Sequence, residues 1–94
     1  MDHLPSIELL ERTHIFPGPY MFKIIGRVED GFVARVVAGV REELAALADP
    51  PYRVRKAADG RHVSVTLEPT VQSAAQVLAV YRRIRGMAGL VMML

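Results

Sequence analysis

The chain contains no cysteine, no tryptophan and no asparagine. The first absence excludes disulfides, thiolate nucleophiles and cysteine-based metal sites. The last removes the side-chain amide that some hydrolases use to orient an attacking water. Histidine is sparse, and His3, His14 and His62 lack the spacing of metal ligands, so no metal or cofactor is expected. His62 and Ser64 lie two apart on one predicted strand with no acid to orient them, which is not a nucleophile–base pair. No apolar run approaches the roughly 20 residues a membrane-spanning helix needs. Asp2, His3 and Pro5 stand where a secretory signal would carry positive charge and then an apolar core, so the expected location is the cytoplasm.

What is present fits one domain. A chain of 94 residues buries about two-thirds of its unfolded surface, enough for a single two-layer core. The composition, 51% apolar and 23% charged, is that of a folded protein rather than a disordered one. The formal charge of +2 conceals an imbalance. Residues 1–49 carry eight acidic and five basic side chains, and residues 50–94 carry two acidic and seven basic. That gives a mildly basic face, far from the lysine–arginine coat of a dedicated nucleic-acid binder.

The segment Phe16–Gly26, FPGPYMFKIIG, is the organising stretch. A Pro-Gly-Pro break leads into a predicted central strand over Tyr20–Arg27. Alternation sets Tyr20, Phe22 and Ile24 on one face and Met21, Lys23 and Ile25 on the other. Before it, residues 1–15 form a leader with weak helical pattern: Ser6 caps a turn with Ile7, Leu9 and Leu10 on its apolar side. The domain proper spans residues 16–94.

After the strand, Val33, Val36, Val37, Val40, Leu44 and Leu47 recur at helical spacings, predicting a helix from Asp30 or Gly31 to Ala48. Asp30 is its expected N-cap, and Asp49-Pro50-Pro51 its stop. Tyr52–Lys56 and Arg61–Glu68 read as strands joined through Asp59-Gly60. A second helix follows from Pro69-Thr70 to Arg85, with Thr70 as cap and Gly86 just past its end. The apolar run Ala88–Leu94 reads as a last strand. The order β-α-β-β-α-β, with right-handed crossovers, predicts an α+β, ferredoxin-like sandwich. Its antiparallel sheet runs fourth–first–third–second, with two helices on one face.

Residues 15–94 resemble the YbeD-like family of small bacterial proteins of uncharacterised function. The resemblance rests on Phe16-Pro17, Tyr20, Phe22-Lys23 and Ile25-Gly26, then Gly60 leading into Ser64-Val65-Thr66, Tyr81, and the ending Val91-Met92-Met93-Leu94. The chain departs from the family pattern at Ala57, where a serine is usual, and at His62, where a tyrosine is usual. The resemblance implies a ferredoxin-like fold similar to ACT-type regulatory domains, which bind amino acids beside metabolic enzymes at the loop after the first strand. It therefore implies a non-enzymatic regulatory module.

On that basis Arg27, Glu29, Asp30, Gly31 and Phe32 are candidate ligand-binding residues. Without a ligand, Asp30 simply caps the helix and Gly31 permits the turn. Gly26-Arg27-Val28 also looks like the start of the acylphosphatase signature, with Arg35 as the nearest arginine. The missing asparagine and the longer spacing to Arg35 exclude that activity. The open sheet face should gather Lys23, Arg53, Arg55 and His62 with Ser64 and Thr66. Without aromatic platforms such a face offers only weak, salt-sensitive RNA binding; otherwise these are solvated charges. The final strand is apolar on both sides, so Met21, Ile25, Val91 and Met93 are candidate contacts to a second copy or another protein. Alternatively, residues 1–15 cover it.

Overall fold

The computed structural model describes residues 4–94. In chain order the elements are α1 (Ile7–Thr13), β1 (Gly18–Pro19), β2 (Phe22–Arg27), α2 (Phe32–Glu43), β3 (Tyr52–Lys56), β4 (His62–Leu67), β5 (Thr70–Val71), α3 (Ala74–Arg85) and β6 (Leu90–Met93). The main sheet is antiparallel throughout and runs β3-β4-β2-β6. Strand β2 therefore lies inside it, paired with β4 along its whole length.

The alternation read from the sequence becomes burial. Phe22 and Ile24 of β2, with Val63, Val65 and Leu67 of β4, turn one face of the sheet inward. Helices α2 and α3 close that face with Phe32, Val36, Val37 and Val40 from one and Val77, Leu78, Val80, Tyr81 and Ile84 from the other. Each large side chain so buried contributes about 1.5–3 kcal/mol. The core is apolar: among the described residues no buried side-chain polar atom lacks a partner.

Gly26 is fixed by space. A Cβ there would sit 2.2 Å from the Phe32 ring, so only glycine lets that ring lie across the strand. At the other end of the core Tyr20, Phe22 and Tyr81 form an aromatic cluster, with the two tyrosine hydroxyls 3.1 Å apart. Burial, then the hydrogen bond with Tyr20, raises the Tyr81 hydroxyl above its ordinary pKa.

Several expectations are corrected. Among the described residues there are three helices and two sheets. The leader forms α1, capped by Ser6, whose Oγ accepts from the Leu9 N–H at 3.0 Å. Leu10 is its buried side chain, whereas Ile7 and Leu9 are exposed. Among the described residues it docks on α3. Helix α2 stops at Glu43 rather than Ala48. Ala45 takes a positive φ of 52°, and the chain turns away, leaving Leu47 fully exposed. Thr70 does not cap α3. It belongs to β5, which pairs with β1 to form the second sheet, and Ser73 Oγ accepts the Gln76 N–H at 3.2 Å instead.

Candidate functional site

The loop between β2 and α2 is shaped by two successive left-handed residues, Asp30 at φ 53° and Gly31 at φ 65°. Gly31, not Asp30, is the N-cap, and no side chain caps the helix. The Asp30 carboxylate points to no partner among the described residues; its backbone carbonyl is the atom in use. That oxygen accepts from Arg35 Nε at 2.9 Å, and Arg35 Nη1 reaches the Ala88 carbonyl at 3.0 Å. The guanidinium carbon also lies 5.6 Å from the centre of the Phe32 ring. Arg35 thus ties the loop to the turn before β6, and the Phe32 ring lies against it with Gly26 and Gly89 close by.

Phe32, with Val28, Glu29 and Gly31, makes one wall of an open, mainly apolar cleft of about 510 Å³. Val33 and Ala34 of α2 continue that wall, while Tyr52, Val54 and Lys56 of β3 and Val63 of β4 form the opposite side. Of the five loop residues expected at a ligand site, Glu29, Gly31 and Phe32 therefore meet at one cleft. Arg27 lies outside it. It lines a neighbouring shallow basin with Val28, Glu29, Gly60, Arg61 and His62. Asp30 lines neither of these two.

The β3 wall was not singled out from the sequence, although the signal was there. In Tyr52-Arg53-Val54-Arg55-Lys56 alternate residues face opposite ways. Pairing with β4 sets Tyr52, Val54 and Lys56 opposite the buried Leu67, Val65 and Val63. This row belongs to the core side, but β3 lies beyond the helices, and all five residues are exposed.

On the other face Thr66 lies between Lys23 and Arg53, and Ser64 between Ile25 and Arg55. Lys23, Arg53 and Arg55 share a shallow basin of about 390 Å³ with the two hydroxyls. Arg53 has Glu68 at 3.4 Å; Lys23 and Arg55 have no carboxylate partner among the described residues. His62 lines an adjoining shallow basin with Lys23, Arg55 and Ser64, and its Nδ1 lies 2.8 Å from Asp59 Oδ2. Asp59 Oδ1 also accepts the N–H groups of Arg61 and His62, at 2.8 and 3.2 Å. These bonds, the one from Arg61 foremost, hold the Asp59 carboxyl below its ordinary pKa.

The candidate contact surface at β6 is only partly assembled. Ile25 faces Met92, because the register shifts between Ile25 and Gly26. Met93 lies opposite Ile24 and packs on the core, so it does not share a surface with Ile25. Met21, Val91 and Met92 are about half exposed and remain available.

Among the described residues no three His, Cys, Asp or Glu side chains gather as a metal site. No helix among them is long and apolar enough to cross a membrane.

Comparison with known proteins agrees with this architecture. No curated protein matches the chain. Among solved structures, the ACT domain from a GTP pyrophosphokinase of Chlorobium tepidum is 16% identical, with a TM-score of 0.59. That alignment covers 81% of this chain and 94% of the other. Protein HP0495 from H. pylori is 14% identical, with a TM-score of 0.62, and the alignment covers 100% of this chain and 98% of that one. Both likenesses concern the fold alone, and the first makes it similar to that of an ACT domain. The family model for a protein of unknown function, DUF493, matches residues 11–94, and the chain belongs to that family, the YbeD family.

Proposed function

We propose that this protein is a cytoplasmic, non-enzymatic regulatory module of ferredoxin-like, ACT-like type that works by binding an apolar group in the cleft between the β2–α2 loop and β3. One observation carries the reading: Glu29, Gly31 and Phe32, expected at a ligand site, wall a cleft of about 510 Å³ whose other side is an exposed strand. A cleft of that size and apolar character suits the side chain of an amino acid, free or within a peptide. The ACT-like fold supports a regulatory role as an analogy. Arg35 has a structural part beside this cleft: its Nε and Nη1 donate to the Asp30 and Ala88 carbonyls.

The test is a titration with hydrophobic amino acids and short blocked peptides, followed by melting temperature and backbone amide shifts. A ligand at 100 times its Kd should stabilise the fold by about 2.7 kcal/mol, on the order of 10 °C for a domain this small. The amide shifts should centre on Val28, Phe32, Val33 and Val54. No stabilisation by any member of the panel, or shifts confined to the open sheet face, would overturn the reading.

A weaker second reading is RNA binding by the open face. It is favoured by the basin that Lys23, Arg53 and Arg55 share. Lacking stacking side chains, such binding would be non-specific and would weaken by roughly twentyfold between about 50 and 200 mM salt.

A further inference from the structure

We infer that β3 is a docking edge for an extended segment of another protein, one that alternates acidic and apolar residues. Its apolar half rests on the cleft reading above; its charged half does not.

Strand β3 meets β4 in unbroken register from Tyr52↔Leu67 to Lys56↔Val63 and, among the described residues, has no neighbour on its other side. The flanking bonds, Glu68 N–H to the Pro51 carbonyl and Ala57 N–H to the His62 carbonyl, fix which backbone groups face inward. They are those of the odd-numbered residues. By alternation the N–H and C=O groups of Tyr52, Val54 and Lys56 face outward. An added strand would pair with these three residues, and its side chains would fall into two rows.

One row lies beside Tyr52 and Val54 and opens into the cleft toward Val28, Phe32 and Val33, so apolar side chains fit it. The other lies beside Arg53 and Arg55. Arg55 has no carboxylate within reach among the described residues, and the Arg53–Glu68 contact is long and exposed. Carboxylates in this row would supply the missing countercharge.

The same charges argue against a second copy of this chain. Antiparallel self-pairing centred on Val54, with both helical layers on one side, sets Arg53 opposite Arg55 twice and Tyr52 opposite Lys56. Like charges directly opposite one another weaken a sheet pair. The basic row that keeps the edge from joining its own kind therefore selects an acidic strand.

The experiment measures fluorescence anisotropy of a labelled peptide of alternating glutamate and valine against one of alternating lysine and valine, at low salt. The probes are the intact chain, the Arg53→Glu/Arg55→Glu double variant and Ala34→Phe, which fills the cleft from the helix side. The intact chain should prefer the acidic peptide by about tenfold or more, and the double variant should reverse the preference. Neither arginine lines the cleft, so hydrophobic amino acids should bind the double variant as before and lose affinity for Ala34→Phe. Amino-acid binding without peptide binding would overturn the docking inference and leave the cleft reading standing. Peptide binding that obeys the charge reversal but ignores Ala34→Phe would uphold the docking edge and remove the cleft reading. Equal affinity for both peptides, or an acidic preference that survives the double reversal, would overturn the inference.

Discussion

The two rims of the main sheet, β3 and β6, have no further strand beside them among the described residues, yet the fold treats them differently. Strand β6 is short, apolar and bulged: Leu90 meets Gly26 and Met92 meets Ile25, so one residue fewer lies on β2 than on β6. A bulge twists an edge and breaks its regular row of hydrogen-bonding groups. Strand β3 is regular over five residues and carries Arg53, Arg55 and Lys56. An apolar rim is thus protected by its irregularity, and a regular rim by its charge. Charge is the selective device of the two, because it repels a like strand and attracts an opposite one.

Gly26 connects the rims, since the β6 bulge begins there and the Phe32 ring that walls the cleft lies over it. The largest effect is therefore expected from Gly26→Val, which should cost about 3 kcal/mol or more because the new side chain meets the ring. Denaturant unfolding measures it; a cost under about 1 kcal/mol would mean the ring is free to move. Proline scanning comes next. At Val54, where the N–H faces outward, proline should cost only about 1 kcal/mol, but at Arg55, where the ladder loses a bond, roughly 3 kcal/mol. Equal costs would show that the outward and inward groups of β3 are misassigned.

On the other rim, Met93→Ala should cost about 1.5 kcal/mol and Met92→Ala less than about 0.5, because only Met93 packs on the core. The reverse order would restore the surface first expected from the sequence. The smallest effect concerns alkaline pH. Tyr81 Oη lies 3.5 Å from the Leu94 carbonyl, beside the end of β6, and its folded pKa is raised above the ordinary 10.0. Its contribution is fully present below pH 10 and is lost as pH rises above it, when the unfolded chain releases the proton first. Melting temperature should fall less steeply above pH 10 in Tyr81→Phe than in the unaltered chain; parallel curves would contradict this.

Much of the fold is legible in period-two and helical patterns. Phe22 and Ile24, and Val63, Val65 and Leu67, alternate because one face of the sheet must be dry, and they are buried as their spacing indicates. The capping role of Ser6 is equally plain, because its oxygen lies where the first free N–H groups need an acceptor. What escapes the sequence is set by long-range geometry. Thr70 has the chemistry of a cap, but pairing with Pro19 draws it into a strand and passes the role to Ser73. Leu47 keeps helical spacing after the helix has ended at a left-handed turn. Met93 and Met92 exchange faces because a bulge resets alternation, and no local pattern announces a bulge. At the candidate site the loop residues were visible by position. The β3 wall is not legible in the same way, since the row Tyr52, Val54 and Lys56 reads as an ordinary strand face until the helices are known to stop short of it.

Amide hydrogen exchange with and without the glutamate–valine peptide tests the central claim most directly. Protection should rise at the N–H groups of Tyr52, Val54 and Lys56 and stay unchanged at Val91 and Met93. Protection gained along β6, or at no residue of β3, would contradict the account.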